Sequence, residues 1–191
     1  MKETLMSHPQ RYTKVAVWFH WIITALIIGQ IVGGKIMMAM ANSPTKFEIY
    51  QLHKSFGLII LILSIGRLVW RLTHRAPALP SGMAGWERLA AKATHILFYV
   101  LIIAIPLSGW VMVSVSSLEI ATEIFKTIPW PDFPGLERSD AAGRLWKDIH
   151  AILATSTAVL LLLHVGAALK HHFVNKDDVL SRMVTLIKPR G

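Results

Sequence analysis

The sequence predicts an all-α membrane protein, a four-transmembrane-helix bundle with both termini in the cytoplasm. The first reason is composition, since 53% of the 191 residues are apolar. The second is a set of four apolar runs near the ~20 residues that a helix needs to cross a hydrocarbon core of about 30 Å. The third is charge placement, because Lys and Arg gather at alternate ends of those runs. Cysteine is absent, which excludes disulfides, thiolate-bound metals and iron–sulfur clusters.

The chain is predicted to form one domain over 1–191, with spans over about 14–40, 53–72, 89–114 and 144–170. Trp18 and Trp21 lie in the first span, where interfacial aromatic residues are common. That span is too long for a signal peptide and contains His20 and Lys35, so we expect it to be retained. Breaker residues at 42–44 and 75–80 separate the first three spans. The longest connection, a periplasmic loop over 116–143, is predicted to cap one mouth of the bundle, with a short amphipathic helix over 118–125.

The net charge of +9 is distributed unevenly across the predicted membrane. One side receives thirteen cationic residues and four acids, and the other side receives seven of each. The thirteen cations are Lys2, Arg11, Lys14, Arg67, Arg71, Arg75, Arg88, Lys92, Lys170, Lys176, Arg182, Lys188 and Arg190. By the positive-inside rule this side, which holds both termini, is predicted to be cytoplasmic. The membrane topology thereby explains the net positive charge of the chain, and we expect no nucleic-acid partner.

Histidines within the spans point to a binding site. His150 and His164 lie 14 residues apart on the last span, which is about 40° in azimuth and roughly 21 Å along the axis. Ionisable side chains in a membrane are costly and usually face a bundle interior, where they find a partner. The predicted topology brings His53 to the outer level of His150, and His20 to the inner level of His164. We therefore hypothesise two haem b groups, with His53 and His150 as axial ligands of the outer iron and His20 and His164 as those of the inner iron.

Basic side chains near these levels are candidates for the haem carboxylates. Arg67 follows His53 by 14 residues, and Arg71 lies one turn further, so both reach the inner level. They are predicted either to pair with the carboxylates of the inner haem or to anchor their helix at the membrane interface. Lys54 is a weaker candidate for the same role at the outer haem.

His95 is a fifth histidine, at the inner level with His20 and His164. We expect it to bond within the core, to contact the haem or a quinone headgroup, or to replace one of those two ligands. Metal transport is a competing use of intramembrane histidine. It would place carboxylates beside the imidazoles, whereas the span interiors contain no Asp or Glu.

Several motifs follow one another along the chain in a recognisable order. They are Phe19-His20-Trp21, Leu52-His53-Lys54-Ser55, Thr94-His95-Ile96, the pair of His150 and His164, and Leu169-Lys170-His171-His172-Phe173-Val174-Asn175-Lys176-Asp177 with Leu180, Arg182 and Met183. This set resembles the bacterial cytochrome b561 family of small four-helix membrane dihaem proteins. The likeness spans nearly the whole chain apart from 116–143, which carries none of the motifs.

The resemblance implies two b haems, one near each face of the bacterial inner membrane, with the ligand pairing given above. It also implies electron transfer between a periplasmic donor and the quinone pool. Some members of the family are superoxide:ubiquinone oxidoreductases, which makes superoxide a candidate donor and ubiquinone a candidate acceptor. A cluster of outer cations would steer such an anion. The cluster comprises Lys35, Lys46, Lys54, Arg144 and Lys147.

His171 and His172 match the tail of the family. We expect them to cap the last helix and contact lipid headgroups, or to protonate quinone. Two other functions stay open. The chain could be a cytochrome b membrane-anchor subunit of a larger dehydrogenase or hydrogenase complex, or a haem carrier or sensor.

Overall fold

The structure is a computed structural model that describes residues 11–80, 82–184 and 186–187. Within these ranges most residues belong to four long helices. They are α1, Lys14–Ala39; α2, Pro44–Thr73; α3, Gly85–Ser114; and α4, Asp140–Lys170. Lys2, Glu3, Lys188 and Arg190, which entered the charge count, lie outside the described residues.

Each of the four helices is long and apolar enough to cross a membrane. The most apolar windows of α1, α2, α3 and α4 have mean hydropathies of 2.0, 1.8, 2.4 and 2.1. Large apolar side chains on their outer surfaces are exposed, including Ile62, Leu72 and Leu162. Such side chains suit contact with lipid tails rather than water. The predicted four-helix membrane fold is thereby confirmed.

The helix starts differ from the predicted spans. α2 begins at Pro44, nine residues before position 53, because the Ser43 hydroxyl accepts a hydrogen bond from the backbone N–H of Lys46. Ser43 is therefore an N-cap and Pro44 occupies the first helical position, where its missing N–H costs nothing. α4 likewise begins at Asp140 rather than 144, capped by Ser139.

The connection between α3 and α4 contains a β-hairpin, so the predicted helix over 118–125 is wrong. Strand β1, Thr122–Ile124, pairs antiparallel with β2, Ile128–Trp130. The hairpin is fastened to α2, where Gln51 Nε2 and Lys54 Nζ both donate to the carbonyl of Ala121, at 3.1 and 2.7 Å. The connection therefore covers the end of the bundle where α2 begins.

The helices pack in chain order. α1 lies against α2, α2 against α3, and α3 against α4. The buried apolar core is concentrated between α2 and α3, with Leu58, Leu61, Leu101 and Val111 among its members. Among the described residues, α4 makes no comparable backbone contact with α1 or α2. Space is therefore left between α4 and these two helices.

The chain beyond α4 folds back over the opposite end of the bundle. A π-helical turn, His171–Asn175, extends α4, and Lys176 reverses the chain in the left-handed region at φ 55°. The indole N–H of Trp21 donates to the carbonyl of Met183 at 2.9 Å. This tail and the hairpin close the two ends of the bundle.

Candidate cofactor sites

Two pairs of histidines face each other across the spaces beside α4. The ring centroids of His53 and His150 lie 6.3 Å apart, with an interplanar angle of 77°. Those of His20 and His164 also lie 6.3 Å apart, at 70°. Each pair joins α4 to a helix with which, among the described residues, it makes few close backbone contacts. The structure thus brings together the residues of both predicted pairs, at two levels of the same helix.

The separation of the rings can be compared with the size of a bound metal. An imidazole nitrogen lies about 2.0–2.1 Å from a first-row metal ion that it coordinates, and roughly 1.2 Å from its own ring centroid. Two imidazoles on opposite sides of one metal therefore have centroids about 6.4 Å apart. Both pairs have this spacing, which fits axial ligation of an iron from two sides.

The surroundings of His150 fix its tautomer. Its Nδ1–H donates to the backbone carbonyl of Ile105 at 3.1 Å, and the Ser108 oxygen lies 3.0 Å from the same nitrogen. Because the carbonyl can only accept, the proton belongs on Nδ1 and the lone pair on Nε2 is free. Metal-bound histidines are commonly oriented in this way. The Nδ1 atom of His53 is buried and has no hydrogen-bond partner among the residues that the structure describes.

The inner pair has a charged neighbour. Arg67 Nη1 lies 3.2 Å from His20 Nδ1, and its guanidinium lies over the Tyr99 ring at 5.8 Å. A guanidinium can only donate, so this contact places the His20 proton on Nε2. Ligation of a metal through Nε2 requires the proton to move to Nδ1 and Arg67 to release the ring. The inner pair therefore has the correct spacing but the opposite tautomer.

His95 lies beside the inner pair rather than opposite it. Its ring centroid is 5.8 Å from that of His164, and Phe98 contacts the same ring at 5.3 Å. The residue is thus at the predicted inner level. Its role as a core residue, a cofactor contact or a ligand stays a prediction.

An open cavity lies at the same end of the bundle as the inner pair and is lined by Arg67, the neighbour of His20. Its lining combines the cations Arg67, Arg71 and Arg75 with the aromatic side chains of Tyr12 and Trp70, among others. Burial raises the pKa of the Tyr12 phenol above its ordinary value of 10, so the phenol stays neutral beside the arginines. The cavity is therefore positively charged and suits carboxylates such as those of haem.

The two levels are separated by a packed layer. Four residues lie seven positions after His20, His53, His95 and His150, and they are Ile27, Ile60, Ile102 and Thr157. Of these, Ile60, Ile102 and Thr157 are only 5%, 6% and 1% exposed. Seven residues correspond to nearly two helical turns, so these side chains share a face with the histidines. Buried side chains therefore lie between the two histidine levels.

Other candidate residues have partners of their own. Lys54 is bound to the Ala121 carbonyl and lies over the Tyr50 ring, so it fastens the hairpin. His171 Nδ1 lies 2.5 Å from the Asp177 carboxylate, which orders the π-helical turn. His172 contacts the ring of Phe173.

Sequence reasoning missed the residues that orient the histidines, namely Ile105, Ser108 and Phe98. A backbone carbonyl carries no sequence signal. Ser108 and Phe98 lie in an apolar run where neither residue type is unusual.

Comparison with known proteins places these features in a family. The family model described as prokaryotic cytochrome b561 matches residues 11–186. The chain is 31% identical to cytochrome b561 homolog 2 of Escherichia coli K12 over 177 residues, covering 92% of each protein. It is 26% identical to cytochrome b561 homolog 1 of the same organism, covering 91% of this chain and 97% of that protein. A probable superoxide oxidase CybB of Yersinia pestis is 27% identical, covering 95% and 99%. The chain therefore belongs to the prokaryotic cytochrome b561 family of bacterial multi-pass membrane proteins, which bind haem b and transfer electrons.

Proposed function

We propose that this protein binds two b haems and moves electrons from a donor at the periplasmic face to the quinone pool, with superoxide as the donor and ubiquinone as the acceptor. The observation that carries the proposal is the equal 6.3 Å spacing of two histidine pairs at opposite ends of α4. One pair alone has the ordinary explanation of core histidines in contact. Two pairs with the spacing of an imidazole–metal–imidazole unit are much harder to explain in that way.

The side chains in these sites have distinct tasks. His53 and His150 would hold the outer haem, and His20 and His164 the inner one. Haem supplies reversible one-electron chemistry when bound, while the protein sets its position, surroundings and charge. If two histidines hold each haem, no coordination position would remain at the iron for oxygen.

The positive cavity supports a specific placement of the inner haem. Arg67 and Arg71 would pair with its carboxylates, which requires Arg67 to leave His20 and so allows His20 to take the ligating tautomer. The buried side chains of Ile60, Ile102 and Thr157, which lie between the two levels, would limit the access of water there. This keeps electrons within the protein and away from solvent oxidants.

The periplasmic donor is inferred from charge and from similarity. The excess of Lys and Arg on the side of the termini supports a cytoplasmic inner site, which leaves the hairpin side facing the periplasm. The Yersinia protein named a probable superoxide oxidase supports superoxide as the donor. Lys35, Arg144 and Lys147 lie exposed on the hairpin side, where they would attract an anion.

The first experiment counts haem. Purified protein is assayed by pyridine haemochrome, which reports haem type and the ratio of haem to chain. We expect b-type haem at about two per chain. A ratio near one, or colourless protein after expression with ample haem, would contradict the proposal.

The second experiment tests the reaction. Superoxide is generated enzymatically in the presence of the protein in detergent, and reduction of a soluble ubiquinone analogue is followed optically. Reduction by the protein alone supports the proposal. Failure of the two-haem protein to reduce the quinone, together with stable copurification of a peripheral redox subunit, would instead favour a membrane-anchor subunit.

A further inference from the structure

Two glycines lie directly beneath the outer histidine rings. A methyl group built on Gly34 of α1 would lie 3.3 Å from Cε1 of His53. A methyl group on Gly109 of α3 would lie 3.2 Å from Cε1 and 3.4 Å from Nδ1 of His150. Contacts this short require the neighbouring ring to move. Each helix thus passes the imidazole edge more closely than a residue with a Cβ ordinarily would, and the ring would have to move by a few tenths of an ångström.

Hydrogen bonds one turn away prevent the helices from moving apart. Gln30, four residues before Gly34, donates from Nε2 to the backbone carbonyl of His53 at 2.7 Å. Ile105, four residues before Gly109, accepts from Nδ1 of His150 at 3.1 Å. In both cases residue i binds the histidine and residue i+4 is the glycine under its ring. The helix is therefore held close to the ring that a side chain would displace.

We infer that Gly34 and Gly109 are positioning residues for the outer haem, acting through the orientation of His53 and His150. The inference rests on the proposed outer haem site. Cε1 is bonded to Nε2, the nitrogen that would face the iron, so pressure on Cε1 turns or tilts the ligating atom. The four positions that meet at the outer level are two histidines and these two glycines.

The histidine rings beside Gly34 and Gly109 differ in how freely they can move. Nδ1 of His53 is buried without a partner, so this ring can tilt without losing a hydrogen bond. Nδ1 of His150 is bonded to Ile105 and lies beside Ser108, so displacement breaks an orienting contact. Loss of such a contact typically lowers metal affinity roughly 10–100-fold. Gly109→Ala should therefore be more damaging than Gly34→Ala.

The chain offers a matched control. A methyl group on Gly33 would meet nothing within 4 Å, although Gly33 adjoins Gly34 on the same helix. Gly33→Ala removes a helix-interior glycine in the same way and adds the same methyl group. It should leave both haems unchanged, and Gly166→Ala on α4, which also meets open space, should do likewise.

The experiment compares Gly34→Ala, Gly109→Ala and Gly33→Ala in purified protein. The measurements are haem content, the rate of haem transfer to a haem-scavenging apoprotein, the low-spin electron paramagnetic resonance signals and a potentiometric titration. We expect roughly 10–100-fold faster transfer of one haem from Gly109→Ala to a haem-scavenging apoprotein. In Gly34→Ala both haems stay bound, but the resonance signal and midpoint potential of one of them shift. Gln30→Ala, which removes the hydrogen bond to the His53 carbonyl and puts no methyl group beside the ring, should shift the same signal.

The outcomes separate this inference from the proposed function. If the wild-type protein lacks a second haem, the proposed function fails. If it holds two haems while Gly34→Ala, Gly109→Ala and Gln30→Ala match Gly33→Ala in content, signal and potential, the positioning role is refuted. Equal damage from Gly33→Ala would also refute it, because a general effect on α1 would then explain the result.

Discussion

Single replacement of each paired histidine by alanine should remove one haem and leave the other. His53→Ala and His150→Ala should lose the outer haem, because their rings face each other at 6.3 Å. His20→Ala and His164→Ala should lose the inner haem for the same reason. The content should fall in each case from two haems per chain to about one.

The separation of the two levels sets the size of the effect in double variants. His150 and His164 are 14 residues apart on a continuous helix, so the levels are roughly 21 Å apart. Sites this distant with no shared partner contribute nearly additively. His53→Ala/His150→Ala should therefore retain about one haem, like either single variant. His53→Ala/His164→Ala should retain almost none.

Pyridine haemochrome analysis and a redox titration of each variant test these expectations. His95→Ala provides the control, since its ring lies beside His164 rather than opposite it, and should keep both haems. Unchanged content in all four single variants would refute the ligand assignment. Loss of the inner haem in His95→Ala but not in His20→Ala would show that His95 is the ligand.

Three further predictions concern charge, the cavity and the fold. Arg67→Ala should lower the midpoint potential of the inner haem by on the order of 50 mV in a potentiometric titration, because a cation near the iron favours its reduced form. Arg138→Ala, at the other end of the bundle, is the control and should leave this potential unchanged. In an alkaline absorbance titration the phenolate of Tyr12 should appear only above pH 10, because burial raises the pKa of its phenol, and Tyr12→Phe should remove that component. A phenol whose pKa is raised on folding contributes to the free energy of unfolding only while it is protonated. The contribution of Tyr12 is therefore present below pH 10 and is lost as the pH rises through the pKa of the phenol in the folded state. Ser43→Ala should destabilise the protein by about 1 kcal/mol in thermal unfolding, because the backbone N–H of Lys46 loses its cap.

The four-helix fold was predictable from the sequence because lipid forces backbone groups to bond within each span. The apolar runs therefore mark the helices directly. The facing of His53 with His150, and of His20 with His164, was predictable from the alternation of helix direction. The hairpin over 122–130 was not, since the bonds that select it come from Gln51 and Lys54, about 70 residues away. The start of α2 was missed because Ser43-Pro44 has the same composition as a loop.

Counting 14-residue intervals along each helix would have identified more residues of the two sites than searching for histidine and arginine did. Fourteen residues separate His150 from His164, and the same interval leads from His20 to Gly34, from His53 to Arg67 and from His95 to Gly109. Arg67 lies 3.2 Å from His20, the ring of His95 contacts that of His164, and a methyl group on Gly34 or Gly109 would meet His53 or His150. The glycines were overlooked because a glycine in an apolar run does not reveal what lies opposite it.

The same 14-residue spacing explains why the two levels differ in charge. At the outer level Gly34 and Gly109 add no charge and Lys54 is bound to the Ala121 carbonyl of the hairpin, whereas Arg67 and the adjoining Arg71 bring cations to the inner level. In a low-dielectric interior each cation stabilises the added electron on a nearby iron. The inner haem should therefore have the higher midpoint potential, which makes transfer from the outer to the inner level favourable. A lower inner potential, assigned with His53→Ala and His20→Ala, would mean that the charge arrangement opposes the proposed direction.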